Sequence, residues 1–319
     1  MHMIRTQGLS RQFRVKKETV KAVRGVDLEV RKGEMVAFLG PNGAGKSTTL
    51  RMLTTLLRPS AGTASVAGCD VRSDPAGVRR RIGYIGQGNG AGHAQRVRDE
   101  LVCQGRCYGL SFAESRRRAD ELLATLDLDT LAACGVTTLS GGQRRRLDIA
   151  LGLIHRPELL FLDEPSTGLD PHNRANLWEH ILRLREQYGT TIFLTTHYLD
   201  EADNMTERVL IIDHGRVIAD DSPEKLKADL AGDRIVLALR DEAEAARAAE
   251  IAEQIPTSDS LTIDATRLEL RVMHGPAVLP ELLRALERAG IQTLAAELKR
   301  PTLDDVFLAL TGRSLREAE

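Results

Sequence analysis

The stretch Val36-Ala37-Phe38-Leu39-Gly40-Pro41-Asn42-Gly43-Ala44-Gly45-Lys46-Ser47 decides how the chain is read. An apolar run predicts a buried strand, a Gly-rich turn follows, and Ser47–Leu57 has the pattern of a helix. Gly40 to Ser47 fit the phosphate-binding spacing G-x-x-x-x-G-K-[ST], and Thr48 extends the candidate contact set. Glycines let the backbone curl until its N–H groups point at phosphate oxygens. The helix N-terminus adds potential favourable to an anion, worth ~0.3–2 kcal/mol. Lys46 then reaches the β- and γ-phosphates, and the Ser47 hydroxyl ligates Mg²⁺. The alternative is a Gly-rich turn beside a chance lysine, which the flanking strand and helix disfavour.

A second apolar run, Leu159-Leu160-Phe161-Leu162, ends in Asp163-Glu164. Two carboxylates at a buried strand end are costly to desolvate without a cation, and a magnesium nucleotide supplies one. Asp163 is expected in the magnesium shell, and Glu164 beside the attacking water. Further strands are expected at Glu158–Leu162, Thr191–Thr196 and Arg208–Asp213. Helical periodicity replaces them over Asp99–Tyr108, Ala113–Leu126 and Gly142–Ile154, which predicts a helical insert at about 88–155 within an α/β core.

Within that insert, Leu139-Ser140-Gly141-Gly142-Gln143 places Ser-Gly-Gly at a helix start, a second anion-binding terminus without a lysine. With it the sequence over about 4–221 resembles the ATP-binding-cassette ATPases. The motifs stand in that family's order: phosphate loop, Gln87 in Tyr84-Ile85-Gly86-Gln87, signature, acidic strand, Ser166-Thr167-Gly168-Leu169-Asp170, and His197 after Thr195-Thr196.

The resemblance implies two copies sandwiching two ATP molecules head to tail. Each phosphate loop would face Ser140-Gly141-Gly142 of the other copy. Gln87 would touch magnesium and water, and His197 the γ-phosphate. Phe13 would stack on adenine, where the family often has Tyr; the alternative is a core Phe. Arg144-Arg145-Arg146-Leu147-Asp148, Tyr198-Leu199-Asp200-Glu201 and Leu303-Asp304-Asp305-Val306-Phe307-Leu308 are similar to the daunorubicin-resistance type. Such subunits pair with a separate ABC-2 membrane permease and drive export of drugs, antibiotics or lipids.

Residues 222–319 change texture. Strands at Arg234–Arg240, Leu261–Asp264, Leu268–Val272 and Ile291–Leu298 interleave with helices at Asp241–Gln254 and Ala277–Ala289. The order βαββαβ is ferredoxin-like, and a last helix starts at an N-cap Thr302. The resemblance makes this part a dimerisation or regulatory domain; a plain folding module is the alternative. One departure from the family lies in Gly88–Leu101, where three close glycines predict a mobile loop that orders on a partner.

Composition narrows the rest. The 319 residues carry 44 Lys+Arg against 45 Asp+Glu, a net charge of −1 that argues against nucleic acid as a partner. No apolar run approaches the ~20 residues that cross a bilayer. Together with the resemblance, this implies a cytoplasmic chain held peripherally at the inner face of the membrane. Cys69, Cys103, Cys107 and Cys134 read as free thiols rather than a metal site. The competing function is an ATP-switched regulator with no transport role.

Overall fold

A computed structural model describes residues 2–16, 18–88, 90–92, 94–254 and 258–312. The chain divides into two units, 1–220 and 221–319. The strands are β1 (His2–Val15), β2 (Glu18–Arg31), β3 (Met35–Leu39), β4 (Ala61–Val66), β5 (Cys69–Asp70), β6 (Ile82–Ile85) and β7 (Leu159–Asp163). They continue as β8 (Thr191–Thr196), β9 (Arg208–Asp213), β10 (Arg216–Asp221), β11 (Asp233–Leu239), β12 (Ser258–Asp264), β13 (Arg267–Val272) and β14 (Thr293–Lys299).

The first unit is built on a six-stranded sheet of order β10-β9-β3-β8-β7-β6. β3 lies parallel to β8 and β9, and β7 parallel to β6 and β8. Every residue of β3, β7 and β8 is buried, which is why they read as unbroken apolar runs rather than alternating ones. The carboxyl ends of β3 and β7 carry the phosphate loop and the acidic pair, where ligands bind in sheets of this kind.

An antiparallel sheet of order β2-β1-β4-β5 completes the α/β part. It is absent from the sequence reading, because the β1–β2 register shifts at several points and breaks the two-residue alternation. The helix after the phosphate loop is Lys46–Leu53, shorter than expected, since Thr55 takes a left-handed φ of 64°. The insert holds helices Val97–Cys107, Phe112–Thr125 and Gly141–Leu153, close to their predicted bounds. An 18-residue helix, Pro171–Tyr188, starts on an Asp170 cap and stops at Gly189 with φ 61°.

In the second unit the sheet order is β12-β13-β11-β14, with each neighbouring pair antiparallel. Helices Glu242–Ala252 and Gly275–Arg288 lie between its strands in sequence, giving the ferredoxin-like βαββαβ order. Ile235, Leu237, Leu268 and Leu270 pack with Ala245, Ala248, Leu282 and Leu286 as its core. The expected β-strand at 291 begins two residues later, and Ile291 is buried instead. Thr302 caps Leu303–Thr311, its side chain and that of Asp305 exchanging bonds with each other's backbone N–H.

Candidate nucleotide site

The loop leaving β3 turns on Gly45, whose φ of 109° is open to glycine, and a Cβ there would lie 2.6 Å from the Ala22 carbonyl. Asn42 and Gly43 are exposed, whereas Gly40, Pro41, Ala44 and Gly45 are buried. The Lys46 side chain curls back over this loop. Its ammonium donates to the carbonyls of Gly40 at 2.6 Å and Pro41 at 3.1 Å, and stands 3.5 Å from Glu164 Oε1.

Across from it, Ser47 Oγ donates to Asp163 Oδ1 at 3.0 Å, and Gln87 Nε2 donates to Ser47 Oγ at 3.3 Å. Thr48 is half-buried beside them on the same helix turn. Thr195, from the neighbouring strand β8, donates to Asp163 Oδ1 at 2.7 Å and accepts from the Glu164 N–H at 3.1 Å. Asp163 is 1 % exposed, and its Oδ2 is buried with no protein partner among the described residues. A buried carboxylate oxygen with no donor, flanked by a serine hydroxyl and an amide, suits the oxygen-rich shell of a hydrated Mg²⁺.

Glu164 itself sits at φ 48°, a left-handed conformation that costs a residue with a side chain ~1–3 kcal/mol. Its N–H is held by both the carbonyl and the hydroxyl of Thr195. The carboxylate is thereby turned between the Lys46 ammonium and the His197 ring, with Oε2 3.2 Å from His197 Nδ1. His197 is half-buried against the Tyr198 ring, over which the Arg174 guanidinium lies at 4.1 Å.

The turn after Glu164 is pinned from below. Buried Glu201 accepts from the Ser166 hydroxyl, from Trp178 Nε1 at 3.1 Å and from Thr196 Oγ1 at 2.7 Å. Glu201, Thr195 and Thr196 belong to stretches singled out from sequence, whereas Trp178 does not.

Ser140 and Gln143 spend their polar groups on one another, forming a reciprocal cap at the start of Gly141–Leu153. Ser140 and Gly141 are exposed, while Gly142 is buried against Asn173. Phe13 is half-buried on β1 opposite Val20, with the Arg11 guanidinium 4.8 Å above its ring, so it is not part of the core.

In the Gly88–Leu101 stretch, Val97 to Leu101 already belong to the helix Val97–Cys107. Asn89 and His93 lie outside the described residues. The neighbouring N–H groups of Gly90 and Ala91 donate to Asp148 Oδ1 at 2.9 and 3.1 Å, and that of Gly92 to Glu100 Oε1 at 2.7 Å. Small residues here admit two carboxylates to the backbone, which anchors the loop.

Comparisons with known proteins follow the same division. The ABC transporter family model matches residues 23–167, and the C-terminal domain model of DrrA1-3-like ATP-binding proteins matches 222–311. The daunorubicin resistance ATP-binding protein DrrA3 of Streptomyces coeruleorubidus is 44% identical, covering 94% of each chain. The daunorubicin/doxorubicin resistance ATP-binding protein DrrA of Streptomyces peucetius is also 44% identical, covering 99% of this chain and 96% of the other. Among solved structures, a dimeric ATP-binding cassette in a post-hydrolysis state with ADP and Pi superposes at TM-score 0.64 and 25% identity, over 69% of this chain and 98% of that one. The cbiO1 protein of Clostridium perfringens, part of an ABC transporter complex, gives TM-score 0.65 and 27% identity, over 72% and 91%.

Proposed function

Since the chain belongs to the ABC transporter family, as an ATP-binding subunit of the daunorubicin-resistance type, we propose that it is the ATP-hydrolysing motor of an ABC-2 exporter. Its resemblance to drug-resistance subunits over nearly its whole length supports efflux of a drug, antibiotic or lipid through a separate permease. No helix among the described residues is long and apolar enough to cross a membrane, which fits a pore on another polypeptide. The chain then works peripherally at the inner face of the membrane. The resemblance does not favour an ATP switch without transport.

The carrying observation is the suspension of Glu164 between Lys46 and His197, one residue beyond the Asp163–Ser47 bond. Lys46 exchanges its loop carbonyls for the β- and γ-phosphates, so it binds and neutralises. Asn42 to Thr48 surround the phosphates with N–H groups, while Phe13 presents its ring to adenine. Ser47, Asp163 and Gln87 would hold Mg²⁺, which would supply positive charge to offset that of the phosphates. Glu164 orients the attacking water and takes up its proton, and His197 holds the same water and the γ-phosphate from the other side. Most of the acceleration comes from positioning and electrostatics. Ser140, Gly141, Gly142 and Gln143 serve the ATP of a second copy, giving two composite sites per dimer.

Glu164→Gln tests this directly. The variant is expected to bind ATP normally, to accumulate as a dimer with Mg-ATP on size exclusion, and to lose ~100-fold or more in turnover. Turnover at the wild-type rate would remove Glu164 from the chemistry. Vesicles holding the chain and its co-purifying membrane protein should extrude a fluorescent anthracycline only with hydrolysable ATP.

A further inference from the structure

One side chain reaches both halves of the hydrolytic apparatus. Arg145, in the second turn of the helix that begins at Gly141, is 6 % exposed. Its Nη1 donates to the Gly86 carbonyl at 2.7 Å and its Nε to the Pro165 carbonyl at 2.6 Å. Gly86 immediately precedes Gln87, and Pro165 immediately follows Glu164. One turn further along the same helix, Asp148 is 4 % exposed and receives the Gly90 and Ala91 N–H groups on a single oxygen. Gly86 on one side and Gly90 with Ala91 on the other are therefore held by residues three apart on one helix, and the same helix grips the peptide after Glu164.

Burial of such charges is expensive. Desolvation lowers the Arg145 pKa and raises that of Asp148, so neither charge is at home there electrostatically. Arg145 Nη2 and Asp148 Oδ2 are also buried without a hydrogen-bond partner among the described residues. An apolar pair would pack this helix against the sheet at lower cost. What an apolar pair could not do is hold backbone carbonyls and N–H groups of two separate loops in fixed register.

We propose that Arg145 and Asp148 are positioning residues that hold Gly86, the Gly90–Ala91 pair and the Glu164 turn in register on the signature helix. On this reading, loss of either side chain misplaces Gln87 and Glu164 together. The inference rests on the hydrolytic role proposed above for Glu164 and Gln87. It assigns Arg145 no contact with nucleotide.

The test uses the purified full chain, with turnover and amide hydrogen exchange read in parallel. Arg145→Ala should lower kcat at least tenfold while the ATP KM stays within twofold. In a Gln87→Ala background the same change should cost less than the product of the two single losses. Arg145→Lys, which keeps the charge but spans fewer carbonyls, should be intermediate. Exchange is the readout that a local structural role would not move. Asp148→Ala should accelerate exchange at least fivefold in peptides covering 84–92 and also in 164–170, which it does not touch. Asp148→Asn, whose oxygen still accepts both N–H groups, should restore both segments. Wild-type exchange in 164–170 for Asp148→Ala, or loss of kcat and KM together for Arg145→Ala, would overturn the proposal. If the wild-type chain hydrolysed no ATP, the functional reading would fail by itself, and the exchange results would still decide the mechanical link.

Discussion

The Lys46 ammonium stands 3.5 Å from Glu164 Oε1, and the two side chains are 4 % and 9 % exposed. The cation proposed to bind phosphate and the carboxylate proposed to orient water thus pair with one another inside the protein. On the proposed mechanism, an arriving γ-phosphate would compete with Glu164 for Lys46 and so free the carboxylate. Lys46→Ala should weaken ATP binding by at least ~10-fold, about 1.4 kcal/mol, and leave Glu164 buried without this cation. Fluorescent-nucleotide titration checks the affinity; an unchanged Kd would mean that Lys46 does not reach the phosphates.

Thr195 is a less obvious control point. Its hydroxyl donates to Asp163 and accepts from the Glu164 N–H, so one group orients the carboxylate proposed to hold Mg²⁺ and the strained backbone beside it. Thr195→Val keeps the shape of the side chain and removes both bonds. By analogy with other groups that orient metal ligands, the Mg²⁺ concentration for half-maximal ATPase activity should rise ~10–100-fold. A Mg²⁺ titration at saturating ATP measures this; an unshifted midpoint would show that Asp163 needs no such support.

These groups differ in how far the linear chain betrays them. Gly40–Ser47 and Asp163-Glu164 are legible because their chemistry needs contiguous residues at the end of a strand. The helices of the insert are legible from their period, and so is the C-terminal βαββαβ order. The β1–β2 ribbon is not, because register shifts between His2 and Ile4 and between Thr6 and Leu9 move apolar residues from one face to the other. Arg145 and Asp148 are hidden for a different reason. Charged residues within a helix read as its solvated face, and only the packing of that helix reveals that both are buried. The bonds from the Gly90 and Gly92 N–H groups to Asp148 and Glu100 are likewise not legible in the chain, because they depend on how distant elements pack.

Gly142 separates stability from activity. Replacing a glycine within a helix by alanine ordinarily gains ~0.5–1 kcal/mol. Here the added Cβ would lie 2.6 Å from Asn173 Oδ1 and 2.8 Å from its Cγ. Asn173 would have to swing away, giving up its 2.5 Å bond to Asp170 Oδ2 and shifting the turn that leads from Glu164. Gly142→Ala should therefore unfold within ~1 kcal/mol of wild type, while turnover falls ~10-fold. Urea unfolding and ATPase assays on the same preparation check both halves, and unimpaired turnover would show that the turn tolerates the shift.

His155 predicts how the first unit responds to acid. Its ring stacks on Tyr108 at 3.7 Å with planes 1° apart, and its Nε2 lies 2.9 Å from the Ile82 carbonyl, which makes Nε2 the donor. Nδ1 is buried without a partner among the described residues, so a second proton would have nothing to donate to. Burial accordingly pushes the pKa from 6.5 down to about 4. The unfolded chain takes up this proton near pH 6.5 and the folded chain only near 4, so the unfolded state gains protons first as pH falls. The contribution to stability is full above pH 6.5 and declines between 6.5 and 4, by up to ~1.4 kcal/mol per pH unit. His155→Phe keeps the stack, loses the bond to Ile82, and removes the titrating group. Wild type should be the more stable at pH 7.5 by ~1 kcal/mol, and its advantage should shrink and then reverse towards pH 5. Urea unfolding of the pair at several pH values measures the difference, and a gap independent of pH would exclude His155 as the source.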